Sequence, residues 1–145
     1  MERLNLTAFF LFTLLLSTAL YASSPAHFYL QMENRSEKTT ILRFEPNEKN
    51  SQTAVYLIPA LNNNTPLAAH EKSPQYGVHI EPLTAQATFD IIFTGKQDCH
   101  FTVGYYGPGN PKVSVAGPGC LGGGYQLIDK GRTLLLYISD IRRNK

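Results

Sequence analysis

Between residues 88 and 105 the apolar residues fall on every second position. The segment TFDIIFT (88–94) places Phe89, Ile91 and Phe93 on one side of an extended strand. Residues 95–98 (GKQD) turn the chain, and CHFTVGY (99–105) returns with Cys99, Phe101, Val103 and Tyr105 aligned. Successive side chains of a strand point to opposite faces, whereas a helix needs apolar residues every three to four positions. After residue 22 no stretch of helical length carries that second pattern, so the alternation predicts an all-β protein.

The remaining segments extend this reading. HFYLQME (27–33) sends Phe28, Leu30 and Met32 to one face, and Asn34, Arg35, Ser36 and Glu37 form a turn into TTILRF (39–44), which together predict an opening hairpin. TAVYLI (53–58) is a strand ended by Pro59, and residues 61–73 carry too many turn formers for a strand and read as a long loop. VHIEPL (78–83) reads as an exposed edge strand, open to strand addition, because Pro82 has no N–H to give a ladder. Residues 113–116 form a short strand, and residues 125–128 and 132–139 close the chain as a hairpin. About eight or nine short strands at this spacing predict a single antiparallel β-sandwich, immunoglobulin-like or jelly-roll-like, with a small β-barrel as the alternative.

The first 22 residues, MERLNLTAFFLFTLLLSTALYA, combine Arg3, an apolar stretch from about Ala8 to Leu16, and small and polar residues before Ser23. This is the pattern of a cleaved secretory signal, too short in its apolar part for the roughly 20 residues of a membrane span. The expectation is an exported protein, secreted or periplasmic, whose residues 23–145 form one domain without a further membrane segment. The whole chain has a formal net charge of +2. So small an excess gives no reason to expect a nucleic-acid partner, and the basic tail of Arg142, Arg143 and Lys145 reads as a solvated end.

Two cysteines in an exported chain most economically form one disulfide, here Cys99 with Cys120. They bracket two Gly-Pro-Gly turns and a run of three glycines. Residues 117–122 match the dinucleotide-binding pattern GxGxxG, but the continuation GGYQLIDKG opens no helix to receive a phosphate, so the glycines read as turn chemistry. His27, His70, His79 and His100 are not spaced as ligand pairs, and a copper-type periplasmic carrier would need them to converge from separate strands. A small secreted hydrolase would need an ordered nucleophile or acid. Ser114 has no elbow around it, His100 points away from Cys99 on a strand, and Glu81 with Asp90 is the one acid pair to consider. No residue stands out as catalytic and no cofactor is expected, so the chain reads as a non-enzyme.

What remains is display on pre-organised loops. Tyr105, Tyr106, Asn110 and Tyr125 lie on or beside the glycine- and proline-rich region, Tyr76 flanks another turn, and Asn62, Asn63 and Asn64 mark a second candidate surface. Tyrosines on rigid loops give large contact area at low entropic cost. The sequence therefore predicts a monomeric binding module for a protein or a cell-surface glycan, with the chain's lack of tryptophan counting against a sugar platform. Asn34-Arg35-Ser36 and Asn63-Asn64-Thr65 are glycosylation sequons in a eukaryotic secretory route.

Overall fold

A computed structural model describes residues 25–47 and 53–140; the expected signal segment, the mature start at Ser23 and the basic tail lie outside them. Among the described residues ten strands form: β1 Phe28–Asn34, β2 Thr40–Pro46, β3 Ala54–Ile58, β4 Thr65–Leu67, β5 Tyr76–Glu81, β6 Ala87–Thr94, β7 Cys99–Tyr105, β8 Lys112–Ala116, β9 Gly124–Ile128 and β10 Thr133–Ile138. They make two sheets of five, ordered β3-β5-β1-β10-β9 and β4-β2-β6-β7-β8. The fold is an all-β sandwich, and neither sheet closes into a barrel. The second sheet is antiparallel throughout, while the first contains one parallel pair, β1 with β10.

The period-two pattern builds the core directly. Leu30, Met32, Leu134 and Leu136 from the first sheet meet Phe89, Ile91, Phe93, Phe101 and Val103 from the second, all essentially without exposure. The β6–β7 and β9–β10 hairpins form as the sequence predicts.

Three expectations about the ladder need correction. Residues 34–37 do not join a hairpin: β1 and β2 lie in different sheets, and these residues form a corner between them. The buried Asn34 side chain fixes that corner by bonding Ser36, Lys38 and Leu67. Strand β5 is not an edge. It pairs with β3 on one side and β1 on the other, and Pro82 follows its last residue instead of interrupting a ladder. Within the long loop, Thr65–Leu67 adds a short strand against β2. Three residues are too few for alternation to reveal.

Tyr76 does not flank a turn but enters the core at the start of β5, opposite Leu30. Burial pushes its hydroxyl above the ordinary tyrosine range. Tyr56 is also raised, first because its hydroxyl donates to Glu81 Oε1 at 2.8 Å. A raised folded value means that the neutral phenol is the favoured form. The stability this confers is complete below about pH 10 and is lost as pH rises through the folded value. In an absorbance titration the Tyr76 phenol ionises above the ordinary tyrosine range, and Tyr76→Phe removes that step.

Candidate functional site

The sandwich has an unclosed flank between β8 and β9. Each is the last strand of its sheet, with no strand on its outer edge among the described residues. The two are joined by the crossover of residues 117–123, so they border the same side of the molecule. Side chains directly opposite in a ladder share a face. Tyr125 pairs with Leu136, and Leu127 with Leu134, both of them core residues. On the other sheet Val115 pairs with Phe101, and Val113 with Val103. The rows of core-facing residues thus run outward onto β8 and β9, but there they end uncovered. Tyr125 is 48% exposed, Val115 38% and Leu127 37%, whereas Leu136 and Phe101 are at 0%.

Both ends of this flank are tied. At one end Asn110, in the β7–β8 loop, lies near Gly131 in the turn between β9 and β10. At the other, Cys120 is disulfide-bonded to Cys99 at the start of β7, with the Cα atoms 4.6 Å apart. The backbone N–H of Gly119 donates to Asp98 O at 3.1 Å, and Leu121 bridges to Ser139 beside the end of β10. The crossover lies so close to the β6–β7 turn that a Cβ on Gly117 would collide with Asp98 O, and one on Gly119 with Gln97 O. Glycine is required there by approach of backbone to backbone. Pro118–Cys120 is a single 3-10 turn, not the helix a phosphate-binding loop would open.

The residues singled out in the sequence do not share one surface. Tyr105 is half-buried between the sheets, stacked on Phe28 at 6.1 Å and edge-on to His27 at 5.2 Å. Tyr106 is exposed, its ring folded over Gly104 and under the Lys112 ammonium at 5.7 Å, on the outer side of the second sheet. Asn110 borders the flank and Tyr125 lies on it. Asn63 is exposed at the far side, beside β2 and β4, where its Oδ1 accepts from the Phe44 N–H at 3.3 Å. Val115 and Leu127 escaped sequence reasoning because alternation shows which face a residue takes, not whether the opposite sheet covers it.

The histidines are engaged separately. His27 donates from Nε2 to Leu83 O at 3.0 Å and accepts at Nδ1 from the Ile80 N–H at 3.3 Å, which defines its tautomer. His70 meets Glu37, His79 is buried and stacked on Tyr56, and His100 is exposed on β7. Among the described residues no three metal-ligating side chains gather. Glu81 and Asp90 stand on different sheets, and Glu81 Oε1 accepts from the Tyr56 hydroxyl. No helix of the described residues is long and apolar enough to cross a membrane.

No family model matches the chain, and no curated protein or solved structure is significantly similar to it.

Proposed function

We propose that this chain is an exported protein-binding module that takes an extended segment of another protein along the flank between β8 and β9. The observation that carries the reading is the exposure of Val115, Tyr125 and Leu127, core-facing side chains on two strands whose outer edges are unpaired. An added strand answers both features at once. Its backbone continues a ladder, and its alternate side chains cover the apolar residues. Five residues in each of β8 and β9 give a length of about 17 Å, enough for a segment of roughly five residues. A glycan offers neither a backbone ladder nor alternating apolar groups, so protein is the better partner. The disulfide and the amino-terminal segment support placement outside the cytoplasm.

Selection of peptides from a random library tests this. The expected binders alternate apolar and polar residues, and they protect the amides of β8 or β9 from hydrogen exchange. Tyr125→Lys with Leu127→Lys weakens them about tenfold or more, since two apolar contacts are replaced by buried charge. Melting temperature stays near that of the wild type, because both side chains are already exposed. Binders without alternation, or binders insensitive to the double substitution, would refute the reading.

A further inference from the structure

We infer that a second site, at the disulfide-tied end of the sandwich, binds a small organic carboxylate with an apolar body. Three connections and a strand end converge there: the β1–β2 corner, the β6–β7 turn, the crossover and the end of β10. Between them lies a cavity of about 420 Å³ whose lining includes Lys38, Lys96, Phe93, Leu121 and Ile138. That volume is of the size that holds small organic ligands.

The lining has two chemical halves. Phe93 and Ile138 are core residues and Leu121 is exposed beside them, which gives an apolar surface reached from solvent. Lys38 and Lys96 add two ammonium groups, and neither makes an ion pair among the described residues. The nearby carboxylates are turned to other partners. Glu37 faces His70, Asp98 Oδ1 accepts from the Gly95 N–H, and Asp140 Oδ2 accepts from the Glu37 N–H. Among the described residues Asp140 is the one carboxylate in the lining, against the two lysines.

Lysines usually bind anions as point charges, with less demand on geometry than arginine. Two of them over an apolar surface favour one anionic head on a hydrophobic stem and discriminate weakly between stems. The same chemistry is found in a free small acid and in the carboxy-terminal residue of a protein ending in an apolar side chain.

Titration of the oxidised protein with 4-phenylbutanoate, followed by amide NMR, tests the site. Saturable shifts are expected at Lys38, Thr39, Lys96, Gln97 and Leu121. The neutral amide of the same acid and the Lys38→Gln, Lys96→Gln double variant each bind about tenfold more weakly. A peptide ending in a free phenylalanine carboxylate identifies the source: tighter binding than the small acid assigns a protein terminus, and weaker binding assigns a free acid. Absence of saturable shifts with both probes overturns the proposal, as does equal binding of the amide or of the double variant. None of these outcomes depends on Tyr125 or Leu127, so failure here leaves the flank reading intact.

Discussion

Replacing both cysteines, Cys99→Ala with Cys120→Ala, lowers the unfolding free energy by at least about 3.4 kcal/mol and the melting temperature by roughly 10 °C or more. The main term is chain entropy: the bond spans a sequence separation of 21, and removing it frees that loop in the unfolded state. A smaller term adds to it, because both sulfurs lie in the core cluster and alanine leaves their volume unfilled. Scanning calorimetry with and without reductant checks the result, and wild type in reductant falls by a similar amount. A loss of under about 3 °C would mean that the Gly119 hydrogen bond and the glycine contacts hold the crossover by themselves. The effect is also local. The bond fixes the crossover from β8 to β9, so hydrogen exchange in both strands rises in the double variant well below its melting temperature.

The same bond shows how sequence and structure divide the information. Pairing of Cys99 with Cys120 and the β6–β7 hairpin were legible because each rests on local chemistry: two thiols with no competitor, and alternation on both sides of a short turn. The placement of β5 was not. Residues 78–83 carry a proline, and a proline in a strand argues for an edge, but Glu81 ends the strand one residue before it. The β1–β2 corner was missed for a related reason. A four-residue polar segment between two alternating strands is the local signature of a hairpin, and only the tertiary bonds of Asn34 make it a passage between sheets. Of the candidate site, Tyr125 was visible as an aromatic near glycine-rich loops. Its partners Val115 and Leu127 were not, since their exposure depends on how far the opposite sheet extends. By sequence the glycines of residues 117–119 read as turn formers, whereas their contacts with Gln97 and Asp98 show close backbone approach as the stronger constraint.

The corner at Asn34 yields the second large effect. Asn34 has no solvent exposure, and its side chain is satisfied at both ends. Nδ2 donates to Lys38 O at 2.7 Å and Leu67 O at 3.0 Å, while Oδ1 accepts from the Ser36 N–H at 3.0 Å and the Ser36 hydroxyl at 2.6 Å. Asn34→Ala removes the side-chain partner of the buried Leu67 carbonyl and of the buried Ser36 N–H, while Lys38 O keeps the Ser36 hydroxyl at 3.0 Å, at a cost of about 3 kcal/mol in urea unfolding. Asn34→Asp is no milder, because it keeps the acceptors but loses both donations and buries a charge against two carbonyl oxygens. Leu67 belongs to β4, so exchange of the β4 amides rises first in either variant. A further consequence separates this account from one in which Asn34 is only a turn former. The buried amide nitrogen is committed to two carbonyls and has no room for a sugar, although it begins a sequon. When the chain is secreted from a eukaryotic host, folded product therefore carries glycan at Asn63 alone, and Asn63→Gln abolishes the mass shift on deglycosylation. Glycan found on Asn34 of folded, disulfide-bonded protein would show that the corner opens, and the 3 kcal/mol assigned to it would have to be sought elsewhere.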